Sequence, residues 1–87
     1  MMKIKEGLTL RELAGEQVVV PTGEDLNLNM MITLNDTGCT LWKRLEAGAE
    51  MADLVAALLD EYDVDEKTAE THAARFVENL KQHGFLQ

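Results

Sequence analysis

The sequence predicts an α+β, winged helix-turn-helix-like fold, in which three short antiparallel strands precede three helices. Runs rich in β-branched and turn-forming residues fill the chain up to position 34. After position 35, apolar residues recur at helical spacing almost to the end of the chain. The 87 residues favour a single domain with one modest core, with strands in about 8–34 and helices in about 36–83.

The first two strands are predicted from alternation and β-branched content. Leu8 and Leu10 are expected on the inner face of the first strand, and Leu13 is placed there with them. Pro21 marks the end or an edge of the second strand, because proline cannot donate to a ladder. The predicted strands cover residues 7–13 and 17–21, and residues 14–16 form the turn between them.

The third predicted strand, Leu26–Leu34, runs directly into the first helix. Met30 and Met31 interrupt its alternation. We therefore expect either a bulge at this point or a loop followed by a short strand from Met31 to Leu34.

The first helix has signals at both ends. Asn35 is the predicted N-cap, because its side-chain oxygen can accept a hydrogen bond from the first turn. Leu34 and Cys39 have the spacing of a hydrophobic staple, and Gly48 occupies the position of an αL C-cap. The predicted buried stripe of this helix consists of Leu41, Trp42 and Leu45.

Two further helices are predicted, joined by a tight turn. The second begins at a poor cap, Glu50, whereas Asp65 is a good N-cap for the third. The third helix ends at His83–Gly84, and Phe85–Leu86 are expected to fold back onto the core. The predicted apolar faces are Met51, Leu54, Val55, Leu58, Leu59 and Tyr62 in the second helix and Ala69, Ala73, Phe76, Val77 and Leu80 in the third.

The charge of the chain is concentrated in its helical half. Residues 46–87 contain ten Asp or Glu and three Lys or Arg, within a net charge of −8. Such a surface repels nucleic-acid phosphates and suits a partner that carries Lys or Arg, although the acids also serve simply to keep helix surfaces soluble. The helix-turn-helix shape nevertheless leaves a DNA-binding transcription regulator as an alternative function.

Little in the sequence indicates catalysis. His72 and His83 lack the neighbouring Cys or carboxylate that a zinc site needs. The helix dipole would lower the pKa of the Cys39 thiol, but a small packing residue explains this position better. We therefore expect a protein that is not an enzyme and has no metal and no cofactor.

The single cysteine and the apolar runs indicate the compartment. Cys39 has no partner for an intramolecular disulfide, which favours a reducing environment. No apolar run approaches the roughly 18 residues that a membrane span requires, and the N-terminus lacks the apolar segment of a secretory signal. We therefore expect a cytoplasmic protein that acts without a membrane.

A binding module is the favoured class. A sheet of three strands leaves an open edge, to which an extended peptide can add as a further strand. Met30, Met31 and Ile32 could adapt to varied apolar partners there, or could simply be core residues. A structural assembly subunit, present as a stable dimer without peptide binding, is a further alternative, so monomer and homodimer both stay open.

Three motifs in register resemble the PqqD family, the small proteins of pyrroloquinoline quinone biosynthesis and their relatives. The resemblance covers nearly the whole chain in order. Its motifs are Arg11–Glu16 followed by Val18–Gly23, Leu34–Gly38 with Leu41–Trp42, and Glu61–Asp65 with Gly84–Leu86.

The resemblance implies a non-catalytic, winged-helix-like peptide chaperone, a recognition element for the leader of a ribosomally synthesised precursor peptide. It implies that the leader adds as a strand beside the third strand, in a cleft closed by the third helix, and is presented to a modifying enzyme. Several relatives work with radical S-adenosylmethionine enzymes, whose iron–sulfur chemistry belongs to the partner. The peptide-binding residues so implied are Met30, Met31, Ile32, Thr33 and Leu34 on the strand and Thr71, His72, Arg75, Phe76 and Asn79 on the helix.

Overall fold

Three strands followed by three helices make up the computed structural model, which describes residues 1–21 and 32–87. This order confirms the predicted fold class. Part of the predicted third strand, residues 26–31 with Met30 and Met31, lies outside the described residues. The elements are β1 (Leu8–Leu13), β2 (Glu16–Pro21), β3 (Ile32–Leu34), α1 (Asp36–Ala47), α2 (Met51–Glu61) and α3 (Glu66–Gln82).

The strands form an antiparallel sheet in the order β1-β2-β3. A two-residue turn joins β1 to β2, and both of its residues have positive φ, 52° at Ala14 and 83° at Gly15. Two positive φ angles are what a type I′ hairpin turn requires. Leu8 and Leu10 are half-buried as predicted, but Leu13 is 47% exposed beside the turn, so its predicted inward position is wrong.

The predicted N-caps of α1 and α3 are confirmed. The Asn35 side chain accepts a hydrogen bond from the Gly38 N–H at 2.8 Å, and the Asp65 carboxylate accepts one from the Thr68 N–H at 2.7 Å. Each bond satisfies a backbone donor that would otherwise lack a partner within its helix. Hydrogen bonding from Thr68, through its side chain and its backbone N–H, also lowers the pKa of Asp65 below its ordinary value, because it favours the charged carboxylate.

The end of α1 and the start of α2, on either side of Ala49, differ from standard helix caps. Glu50 caps α2 weakly, and Asp53 compensates by accepting the Glu50 N–H at 2.8 Å, as in a capping box. Gly48 ends α1 with φ 91° and ψ 128°, so the predicted αL cap is wrong in its ψ angle. Its N–H still donates to the Leu45 carbonyl, and the extended ψ turns the chain directly towards α2.

Trp42 and Phe85 lie at the centre of the core. Both are fully buried, and their rings pack edge to face with centroids 6.4 Å apart. The burial of Phe85 confirms that the chain folds back after α3. The other core side chains come from every layer of the fold and are Ile4, Val19, Leu34, Leu41, Leu45, Ala49, Leu54, Leu58, Ala69, Ala73, Val77 and Leu80.

The first residues of the chain complete this core, which the sequence did not predict. Met2 exchanges two backbone hydrogen bonds of 2.8 Å with Ala49, between α1 and α2. Ile4 forms an isolated bridge with Leu86 and is buried. The two ends of the chain are therefore tied to each other and to the helices.

The apolar face of α2 is wider than the core covers. Leu54 and Leu58 are fully buried, but Met51 and Leu59 of the same predicted face are 37% and 41% exposed.

None of the helices in the described ranges has the length and hydropathy to cross a membrane.

Candidate functional site

A cleft lies between the sheet edge and α3, with the start of α1 at its base. It consists of two adjoining cavities that share Asn35, Gly38, Phe76 and Asn79. The first, of about 250 Å³, lies between α1 and α3, and the second, of about 520 Å³, opens towards β3 and the β1–β2 turn. The additional lining residues are Thr37, Leu41, His72 and Arg75 in the first cavity and Gly15, Glu16, Gln17, Thr33, Leu34 and Asp36 in the second.

The strand wall of the cleft is a sheet edge. β3 pairs with β2 through Val19–Ile32, Val18–Thr33 and Gln17–Leu34, and within the described ranges no strand pairs with its other side. An edge strand presents backbone N–H and C=O groups that can pair with an added chain. Thr33 points to solvent and Leu34 to the core, as alternation along a strand requires.

The helix wall of the cleft follows from helical spacing. His72, Arg75, Phe76 and Asn79 are separated by three, one and three positions, so they lie on one face of α3. Phe76 is half-buried while the other three are exposed. The result is an apolar ring set low in the cleft with polar side chains above it.

Gly38 forms the floor of the cleft. A Cβ atom at this position would lie 3.4 Å from Cε1 of Phe76, 3.4 Å from Cβ of Leu34 and 3.1 Å from Oδ1 of Asn35. The strand, the cap and the helix wall therefore converge on a residue without a side chain. Gly38 is not among the site residues predicted from the sequence, although a glycine in the first turn of a helix is an unfavourable choice that needs a packing reason.

The two cavities carry opposite charge. Arg75 lines the first and has no carboxylate within 4.0 Å in the described part of the chain, which leaves its guanidinium available to a ligand. Glu16 and Asp36 line the second cavity. A bound chain would therefore meet a cation at one end of the cleft and two carboxylates at the other.

The structure brings together six of the ten site residues implied by the resemblance: Thr33, Leu34, His72, Arg75, Phe76 and Asn79. Ile32 is half-buried in β3 and lines neither cavity. Thr71 lies outside the cleft, where its hydroxyl donates to the Lys67 carbonyl at 3.0 Å. Met30 and Met31 are not among the described residues, and a binding role for all ten stays a prediction.

The chemistry of the described residues suits binding more than catalysis. Within them, no three His, Cys, Asp or Glu side chains are placed to hold a metal ion. Partial burial raises the pKa of the Cys39 thiol, opposite to the shift that the helix dipole alone would give. The cleft instead offers an open strand edge, an apolar floor and a free guanidinium, which together fit an extended polypeptide segment.

Comparisons with known proteins agree with this description. The family model of coenzyme PQQ synthesis protein D (PqqD) matches residues 16–86. The fold is similar to that of TbiB1 in complex with the TbiA(beta) leader peptide, with 26% identity, a TM-score of 0.77 and coverage of 98% of this chain and 94% of that chain. It is equally similar to lasso peptide synthetase B1 complexed with the leader peptide, with 26% identity, a TM-score of 0.77 and coverage of 99% and 96%. A comparison with curated proteins finds no match.

Proposed function

The chain belongs to the PqqD family, and from this premise we propose that it binds the leader segment of a ribosomally synthesised precursor peptide and presents it to a modifying enzyme. The proposal makes the chain a non-catalytic recognition element of the cytoplasm. The open edge of β3, facing α3 across the cleft, carries the proposal. Two proteins of the same fold, described in complex with leader peptides, support it.

The leader adds to the sheet as a strand beside β3. Backbone hydrogen bonds along the edge supply affinity that tolerates varied sequences. Because side chains of a strand alternate, every second leader residue points towards Gly38 and Phe76, where an apolar side chain fits. The intervening residues point to solvent or to the polar upper part of α3.

Arg75 gives the cleft a preference for an acidic leader residue. Its guanidinium can donate two parallel hydrogen bonds to a carboxylate, a strong and directional pairing. Glu16 and Asp36 at the other end disfavour a second acidic residue there, because like charges repel across short distances. The leader expected to bind best is therefore apolar at alternate positions and acidic only near Arg75.

Modification chemistry belongs to the partner in this proposal. A radical S-adenosylmethionine enzyme is one such partner, and its iron–sulfur cluster and cofactor lie in its own chain. That enzyme determines the reaction, and the leader determines which precursor the two proteins bind.

The test is an amide NMR titration with a synthetic leader from a short reading frame encoded beside this gene. Saturable shifts in β3 and on the His72–Asn79 face of α3 are the expected result. Arg75→Glu should weaken leader binding by about tenfold, the effect of losing a charge-assisted pair worth about 1.4 kcal/mol. Lys81→Glu makes the same charge change on α3 away from both cavities, so its affinity should stay close to that of the unaltered protein.

A verified leader that leaves these amides unmoved at near-millimolar concentration, with and without the modifying enzyme, would contradict the proposal. Equal losses in Arg75→Glu and Lys81→Glu would indicate a general charge effect and not a cleft. Duplex DNA serves as the counter-ligand, since binding to several phosphates weakens steeply with added salt, whereas strand addition with a single charge pair at Arg75 weakens only slightly.

A further inference from the structure

A second groove lies between α2 and α3, with a volume of about 530 Å³. Apolar side chains make up most of its lining. The residues are Met51, Val55, Leu59 and two alanines of α2, and Glu66, Glu70 and Ala74 of α3.

The groove exposes apolar side chains that the core of the fold does not cover. Leu54 and Leu58 already bury the core side of α2, whereas Met51 and Leu59 remain 37% and 41% exposed. An isolated exposed leucine is ordinary in a soluble protein, but apolar residues that line one groove together indicate an interaction site.

Negative charge lies along one side of this apolar strip. Glu66 and Glu70 line its α3 side, and in the described part of the chain neither carboxylate has a Lys or Arg nitrogen within 4.0 Å. The facing helix α2 contains no Lys or Arg that could pair with them. Unpaired acids beside an apolar strip attract a partner surface with the complementary charge.

The groove and the cleft occupy opposite flanks of α3. Glu66, Glu70 and Ala74 follow one another at four-residue spacing and so form one ridge of the helix, whereas the cleft uses the separate face that carries Arg75 and Asn79. The buried positions of α3, such as Ala73 and Val77, lie between these two flanks. A molecule in the groove therefore leaves the cleft open.

We propose that this groove docks the modifying enzyme, through an apolar side chain of that enzyme flanked by Lys or Arg. The inference rests on the proposed function, since it assigns a surface to the partner that receives the leader. Charge excludes a second copy of this chain as the favoured occupant. Each copy carries a net charge of −8, and two α2–α3 faces would bring unpaired carboxylates against each other.

The test measures enzyme binding and leader binding separately on the same variants. The probes are the purified modifying enzyme encoded beside the precursor and the fluorescently labelled leader peptide. Leu59→Gln removes an apolar contact and Glu70→Lys reverses a rim charge. Their matched controls are Leu13→Gln, at a leucine equally exposed on the β1–β2 hairpin, and Glu78→Lys, on α3 outside the groove.

Leu59→Gln should weaken enzyme binding by about tenfold, as expected for an apolar residue central to an interface. Glu70→Lys should weaken it by about tenfold because it sets a lysine against the basic surface of the enzyme. The two control variants should leave enzyme binding within about twofold, and all four should leave leader affinity unchanged. Added salt should reduce enzyme binding to the unaltered protein more than to Glu70→Lys, since a rim charge contributes through screened electrostatics.

Two results would overturn the docking inference and leave the proposed function intact, provided that every variant still binds the leader. In the first, the unaltered protein does not bind the enzyme. In the second, Leu59→Gln and Glu70→Lys bind the enzyme as strongly as the unaltered protein does. Loss of leader binding by the unaltered protein would instead remove the proposed function. Sedimentation of the protein as a dimer that Leu59→Gln dissociates would show that the groove holds a second copy, which also overturns the inference.

Discussion

Replacing Gly38 with alanine tests the cleft at the place where its walls meet. The added methyl would stand 3.1 Å from Oδ1 of Asn35 and 3.4 Å from both Cβ of Leu34 and Cε1 of Phe76. The first of these contacts is tight enough that the cap side chain must shift. The other two are ordinary van der Waals contacts of the new methyl with β3 and with the aromatic ring of α3.

The effect on stability is small because two terms oppose each other. Alanine gains about 1 kcal/mol over glycine in a helix. Crowding in a packed region costs about 1–3 kcal/mol, part of it through the strained bond between the Asn35 side chain and the Gly38 N–H. We expect the free energy of unfolding to fall by about 1 kcal/mol, which lowers the melting temperature by about 4–8 °C in a domain of this size.

The effect on binding is larger than the effect on stability. A methyl on the cleft floor takes space from the leader side chain that packs against Phe76, so affinity should fall by about tenfold, or 1.4 kcal/mol. The assay is fluorescence anisotropy with the labelled leader, well below the melting temperature. Val77→Ala is the control, because it loses about 2 kcal/mol of core packing one residue away from Phe76 but lines neither cavity.

Unchanged leader affinity in Gly38→Ala would refute the placement of the leader over the cleft floor. Equal losses of affinity in Gly38→Ala and Val77→Ala would show that binding follows overall stability and not contact with the cleft floor.

Three further predictions concern the fold. Trp42→Ala should lower the free energy of unfolding, measured by chemical denaturation, by about 3–5 kcal/mol, since the ring is fully buried against Phe85. Trp42→Phe should lower it less, because the buried indole N–H that it removes has no hydrogen-bond partner among the described residues. Ala14→Asn should stabilise the hairpin by about 0.5–1 kcal/mol, as asparagine tolerates the positive φ of 52° better than alanine does; a melting temperature that falls would contradict the type I′ assignment. The pKa of Asp65 is lowered by its bonds from Thr68, so the stability it contributes is present at neutral pH and is lost as pH falls below the ordinary carboxyl range. Asp65→Asn should therefore cap α3 at neutral pH while showing a smaller loss of stability on acidification, followed by circular dichroism from pH 7 downward.

The elements that local chemistry determines were predictable from the sequence. Asn35 and Asp65 cap their helices as predicted, because a cap depends on residues within one turn. Leu13 was misplaced because it lies three positions after Leu10, and an odd spacing along a strand puts a side chain on the opposite face. The bridges of Met2 with Ala49 and of Ile4 with Leu86 were missed, since single bridges between distant segments leave no periodic signal in a sequence.

The open sheet edge was predictable from the count of three strands, whereas the helix wall of the candidate site was predictable only through the family resemblance. The family match over residues 16–86 confirms that resemblance. Helical spacing predicted the apolar stripe of α3, but not the flank that faces a sheet edge. Gly38 escaped notice because its role arises only where β3, α1 and α3 converge. Thr71 lies on the same helix but lines neither cavity, and its binding role stays a prediction.

The arrangement of charge on α3 reconciles a net charge of −8 with the proposed preference for an acidic leader. Overall charge acts at long range and is screened within about 8–10 Å at physiological salt, whereas Arg75 acts by direct contact inside the cleft. The unpaired acids of Glu66 and Glu70 lie on the other flank of the same helix, where a basic partner would meet them. An acidic leader and a basic enzyme would therefore bind to separate faces of α3, on the two sides of one helix. The net charge of the chain consequently does not predict the charge of either ligand.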